Sequence, residues 1–176
     1  MGEKRKVRFH LSDNVKAGLL RWWLMGMCYF MIGFGTQTGT QSSPMDLIFF
    51  LGVGTGLVTV VVYNPIAYSA FDIVRGGEIV NKARKKRSGA AKALDNLLEI
   101  GRSLVVVVLI YLTYQGVNEL LVKALERPEG TVIIPGEPFG FATLYLLFYS
   151  ALVGVFSQLR ARAKEQAGKE AREDGT

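Results

Sequence analysis

Five polar side chains interrupt an apolar stretch of the chain at a helical spacing. They fall at i, i+3, i+4, i+7 and i+8 and are Tyr111, Tyr114, Gln115, Asn118 and Glu119. On a helix they share one face, and polar groups inside a membrane are costly. The stripe predicts either a polar path, with Glu119 as a cation or proton site, or hydrogen bonds between helices with an exposed Glu119–Lys123 pair. The single carboxylate and the nearby lysine favour the second interpretation.

Two further motifs concern helix packing and helix shape. Gly52 and Gly56 are one helical turn apart, and such a pair lets another helix approach closely. Asn64 and Pro65 follow, and Pro65 lacks a backbone donor, which predicts a kink. The kink could be a gating hinge, but a static bend is the more common outcome and is favoured.

The chain offers few groups for catalysis or metal binding. Met27 and Met31 lie one turn apart beside Cys28, and soft sulfur ligands are typical of copper(I) sites. These residue types are also ordinary packing residues, so no metal or other cofactor is predicted. The sequence shows no Ser/His/Asp set and no pair of intramembrane carboxylates, so an enzyme is not expected.

Four stretches almost free of charge could position these residues within a membrane. They span residues 19–35, 47–68, 104–121 and 139–156. A helix rises about 1.5 Å per residue, so roughly 20 residues cross a hydrocarbon layer of about 30 Å. Lipid cannot hydrogen-bond an open strand edge, so the spans must be helical. The sequence therefore predicts an all-α, polytopic integral membrane protein with four transmembrane helices within residues 19–158.

The distribution of Lys and Arg predicts the orientation of these helices. Residues 1–21, 75–103 and 159–176 carry six, eight and five, respectively. In contrast, residues 36–46 carry none, and only Lys123 and Arg127 lie between the third and fourth spans. Basic segments remain in the cytoplasm. We therefore expect a cytoplasmic N-terminal segment 1–18, basic loop 75–103 and tail 159–176, in a plasma or inner membrane.

The basic loop also predicts contacts with lipid. Its densest run of charge should bind anionic headgroups and comprises Lys82, Arg84, Lys85, Lys86 and Arg87. Because the net charge of +6 is then explained by lipid, a nucleic-acid partner is not expected. Apolar residues at helical spacing over residues 90–101 predict an amphipathic cytoplasmic helix between spans two and three. It would lie on the membrane surface and lead directly into the third span, although a soluble partner could use the same face.

These features predict a small, non-catalytic membrane subunit that packs with itself as a homo-oligomer or with other membrane proteins. The Gly52/Gly56 face and the short loops favour this role. The alternative is an oligomeric channel or small transporter with a polar path on the third span. A third interpretation is a cytoplasmic docking platform formed by residues 75–102.

The four-span arrangement can be tested by cysteine labelling in a Cys28→Ala background, which removes the only native thiol. Cysteines at Thr40 and Gly130 should react with an impermeant thiol reagent in sealed cells, because both positions are expected outside. A cysteine at Ser88 should react only after permeabilisation. Labelling of position 88 in sealed cells would contradict four spans with cytoplasmic termini.

Overall fold

The computed structural model describes residues 11–38, 44–75, 78–80, 88–125 and 137–173. Its architecture is helical, as predicted. The helices are α1 (Asp13–Thr38), α2 (Pro44–Val58), a π-helical turn (Thr59–Tyr63), α3 (Asn64–Ala70), α4 (Gly89–Leu125) and α5 (Glu137–Glu173). A short antiparallel pair of strands follows α3, β1 (Val74–Arg75) and β2 (Glu78–Ile79).

Among the described residues, three helical segments are long and apolar enough to cross a membrane. They are Met45–Ala70, Gly89–Leu125 and Pro138–Gln158, and they contain the second, third and fourth predicted spans. The first predicted span lies within α1, which is not among the three and carries Asp13, Lys16 and Arg21 near its start. Large apolar side chains are exposed on all the long helices, as expected for a surface in contact with lipid or with other membrane helices.

The predicted amphipathic segment and the third predicted span form one helix. α4 runs for 37 residues without a break, so residues 90–101 are its first turns and lead directly into the third predicted span. Within this segment Ile100 packs against α2, whereas Leu94 and Leu97 are exposed. The segment therefore extends the helical bundle, with its leucines on the outer surface.

α2 and α4 approach each other closely because glycine occupies the contact. A Cβ atom added to Gly56 would lie 2.8 Å from the Cα atom of Ile100, and one added to Gly52 would lie 3.0 Å from the Cα atom of Leu104. Next to this contact lies a core shared by α1, α2, α4 and α5. Its buried members are Met25, Ile48, Leu51, Val106, Val107, Ile110, Phe141, Ala142, Tyr145 and Tyr149.

Polar contacts hold the start of α1 against the segment that follows α3. The Asn14 side chain donates from Nδ2 to the Val74 carbonyl at 3.2 Å and accepts at Oδ1 from the Val74 amide at 3.1 Å. The amide of Asp72 donates to Oδ2 of Asp13 at 3.2 Å. Asn14 therefore forms two hydrogen bonds with the backbone of Val74, as a neighbouring strand would. This places the start of α1 beside the segment that follows α3, so α1 runs antiparallel to α2 and α3.

The close contact of α2 with α4 predicts that Gly56→Leu destabilises the protein. Its side chain would collide with the backbone of Ile100, and such overpacking lowers the free energy of unfolding by about 1–3 kcal/mol. Gly101→Leu is the matched control, because no atom lies within 4 Å of the position its Cβ would take. Thermal unfolding of both variants in detergent measures the difference. Equal stability would contradict the close contact.

Candidate functional site

The structure buries a positive charge inside the helical bundle. Arg21 of α1 is only 5% exposed. Its guanidinium carbon lies 4.1 Å from the ring centroid of Tyr63 and 3.7 Å from that of Tyr149. In the described part of the chain no carboxylate lies within ion-pair distance of Arg21. The negative faces of two aromatic rings therefore stabilise the cation, but they supply no negative net charge.

A buried carboxylate lies beside one of these rings. Glu99 of α4 is 8% exposed, and its Oε2 atom accepts a hydrogen bond of 2.6 Å from the hydroxyl of Tyr149. Arg102 donates to Oε1 of the same carboxylate at 3.3 Å. Tyr149 thus contacts two opposite charges, Arg21 through its ring and Glu99 through its hydroxyl. This one side chain of α5 connects α1 with α4.

The π-helical turn brings two consecutive residues into the interior. Its last hydrogen bond runs from the amide of Asn64 to the carbonyl of Thr59, five residues back. Because the turn is wider than an α-helical turn, both Tyr63 and Asn64 are buried. Pro65 follows, and its ring and missing donor disfavour a regular α-helical turn at this point. The predicted kink thus coincides with a π-turn, a feature that is frequent at functional sites.

Hydroxyl groups complete this interior region. Those of Ser103 and Tyr145 lie 2.7 Å apart, and Thr59 donates to the carbonyl of Thr55 at 2.8 Å. The rings of Tyr145 and Tyr149 stack with centroids 6.0 Å apart. We refer to the buried polar residues of this region as the polar cluster, which comprises Arg21, Thr59, Tyr63, Asn64, Glu99, Ser103, Tyr145 and Tyr149.

Two members of the polar cluster have unused hydrogen-bonding capacity. Nη1 of Arg21 and both polar atoms of the Asn64 amide are buried and have no hydrogen-bond partner. A buried polar group without a partner costs about 1–3 kcal/mol. Such groups are rare, and each calls for an explanation such as an ion, a water molecule or a functional role. The polar cluster is therefore the strongest candidate site among the described residues.

The predicted polar stripe lies on the surface of α4, apart from the polar cluster. Gln115 and Glu119 are exposed, while Tyr111 and Asn118 are half-buried. Gln115 donates to the hydroxyl of Tyr111 at 3.0 Å. Lys123 donates to Glu119 at 2.6 Å, and both side chains are about two-thirds exposed or more. Because both contacts lie within α4, a path along Gln115 and Glu119 would have to be completed by a neighbouring molecule.

The other predicted residues are divided between the bundle and the part of the chain that is not described. Gly52 and Gly56 lie at the contact of α2 with α4, and Asn64 belongs to the polar cluster. The predicted headgroup residues lie outside the described residues and are Lys82, Arg84, Lys85, Lys86 and Arg87.

Sequence analysis missed the charged and aromatic members of the polar cluster. One available signal was Arg21 within an apolar stretch, since a charge there is costly. A second was the spacing of Phe141, Tyr145 and Tyr149 at i, i+4 and i+8, which places three rings on one helix face. Neither signal identifies the partners, because Arg21 and Tyr149 lie in the first and last helices.

The contact between Tyr149 and Glu99 can be tested by removing a single hydroxyl group. Tyr149→Phe keeps the ring over Arg21 but withdraws a donor from a buried carboxylate, so the free energy of unfolding should fall by about 1–3 kcal/mol. Tyr111→Phe is the control. It removes a hydroxyl that is bonded to the exposed Gln115, and its effect should stay within about 0.5 kcal/mol. Equal stability of the two variants would contradict a stabilising role for this hydrogen bond.

Known proteins offer no parallel from which to assign the polar cluster. The chain matches no family model, no curated protein and no solved structure.

Proposed function

We propose that this chain is a small, non-catalytic integral membrane subunit that crosses the membrane four times and packs with itself or with other membrane proteins. The observation that carries this proposal is the distribution of polarity. Arg21 and Glu99 are enclosed by the bundle, whereas Phe50, Leu97 and Leu112 are more than half exposed. A surface of this kind requires lipid or other membrane helices around it.

The packing of α1 supports its assignment as a fourth span. Met25 of α1 is fully buried in the core shared with the three apolar helices. The side chain of Ile32, further along α1, reaches Gly54 of α2. α1 therefore lies beside segments that are themselves apolar enough to cross a membrane. The charge of Arg21 does not oppose this placement, because it faces the interior of the bundle and not lipid.

The orientation proposed for the subunit rests on charge. Of the 21 Lys and Arg residues, all except Lys123 and Arg127 lie on the side that would be cytoplasmic, so both termini are placed in the cytoplasm. The exposed Leu94, Leu97 and Leu98 near the start of α4 would then meet the cytoplasmic leaflet or a partner bound there. The basic run at residues 82–87 would supply the charge that attracts anionic headgroups.

Assembly can be tested with a photo-crosslinking residue introduced at single positions in the native membrane. Met31, Phe50 and Leu97 are exposed, and at least one of these positions should give an adduct of discrete mass with protein. The same residue at the fully buried Val106 is the control and should give no intermolecular adduct. An adduct of twice the chain mass identifies a homo-oligomer, and a different mass identifies a foreign subunit. Lipid adducts alone at all three positions would contradict the proposal.

The alternative function is an oligomeric channel or small transporter. Gln115 and Glu119 lie on the surface of the chain, which favours a path between neighbouring molecules over a path within one chain. In liposomes, Glu119→Gln should leave ion and solute flux unchanged if the chain is an accessory subunit, because the Glu119 carboxylate is exposed and already bound to Lys123. Gln115→Leu is the companion variant, since it would hinder wetting of the stripe without removing charge. A flux that is lost in Glu119→Gln protein of normal stability would establish the channel instead.

A further inference from the structure

The position of Arg21 leaves the edge of its guanidinium group as the only part able to bind a further group. Tyr63 and Tyr149 approach the guanidinium carbon to 4.1 Å and 3.7 Å, so the faces of this planar group are occupied by rings. The N–H donors lie in the plane and point outward from its edge. Nη1 on this edge is buried and has no hydrogen-bond partner.

The charges around Arg21 are not balanced. Glu99 is the buried carboxylate of the polar cluster, and it is already bound by Arg102 at 3.3 Å and by the Tyr149 hydroxyl at 2.6 Å. Arg21, Arg102 and Glu99 together leave one positive charge in excess. An isolated charge in a low-dielectric interior is costly, so this excess favours the binding of one negative charge.

A second buried polar group is also unbonded. The Asn64 side chain, next in sequence to Tyr63, is 2% exposed and neither its Nδ2 nor its Oδ1 atom has a partner. A guanidinium edge and an amide both donate hydrogen bonds to anions. Polar groups without partners therefore come from α1 and from the residue that follows the π-turn.

We propose that the edge of the Arg21 guanidinium binds a small monovalent anion inside the bundle, of the size of a halide or a simple carboxylate. The single excess charge sets the valence. The small size is inferred from burial alone, since the side chains of Arg21 and Asn64 are 5% and 2% exposed. This site does not depend on what the subunit assembles with.

The experiment uses the full chain purified in detergent, with gluconate, a bulky carboxylate, as the reference anion. Replacing gluconate by bromide or by formate at constant ionic strength should raise Tm saturably, by about 5–10 °C at 100 times Kd. Anomalous diffraction from crystals grown in bromide should then place one bromide ion beside Nη1 of Arg21. A Tm that depends only on ionic strength, a bromide ion bound elsewhere, or a water molecule alone at this edge would overturn the proposal.

Two variants make the assignment specific. Arg21→Lys keeps the charge but loses the planar edge, so the bromide Kd should rise at least tenfold. Lys16→Gln removes a positive charge from a partly exposed position on the same helix and should keep the Kd of the unchanged protein. If Arg21→Lys does not fold, the position of bromide in crystals of the unchanged protein decides the question. Equal Kd values for the two variants would overturn the assignment to Arg21.

Discussion

A guanidinium group that is removed from water keeps its charge, so the protein must supply the compensation that water otherwise gives. Arg21 receives part of it from the rings of Tyr63 and Tyr149, and such contacts are worth about 2 kcal/mol when desolvated. The two rings belong to the π-turn and to α5, so α1 must lie between these elements. The hydroxyl of Tyr149 then binds Glu99 of α4. The relative positions of all four long segments thus depend on this one cation.

The other contacts of the bundle are arranged to permit this interaction. Gly52 and Gly56 bring α2 close to α4, which places the following π-turn beside the polar cluster. Asn14 pairs with Val74 and sets the position of α1 along α2 and α3. If a regular α-helical turn replaced the π-turn, Tyr63 and Asn64 would diverge further around the helix axis. The contact of the buried Arg21 with Tyr63 therefore depends on the close packing of α2 against α4 and on the π-turn that follows α2.

Apolar runs were sufficient to predict the helices, and segments 47–68, 104–121 and 139–156 lie within helices apolar enough to span a membrane. The sequence also indicated that residues 90–101 lead into the third span. The position of this segment was harder to predict, because its helical periodicity is the same on a membrane surface as at the start of a longer helix in a bundle. The polar cluster could not be predicted from the sequence, for a different reason. Its hydrogen bonds join residues of different helices, such as Glu99 and Tyr149. The residue pattern within one helix does not show which other helices are its neighbours. The stripe of Gln115 and Glu119 is visible in the sequence because its polar residues are adjacent on a single helix.

A double-mutant cycle measures how strongly the contact between Arg21 and Tyr63 stabilises the bundle. Arg21→Met, Tyr63→Leu and the double variant would be compared with the unchanged protein by reversible unfolding in detergent. We expect a coupling free energy of about 0.5–2 kcal/mol between the two residues, because Tyr63 loses its contact with the cation when Arg21 is absent, whereas Arg21 keeps Tyr149. Single effects that add to within about 0.3 kcal/mol would show that the two side chains are merely adjacent, and would contradict the account.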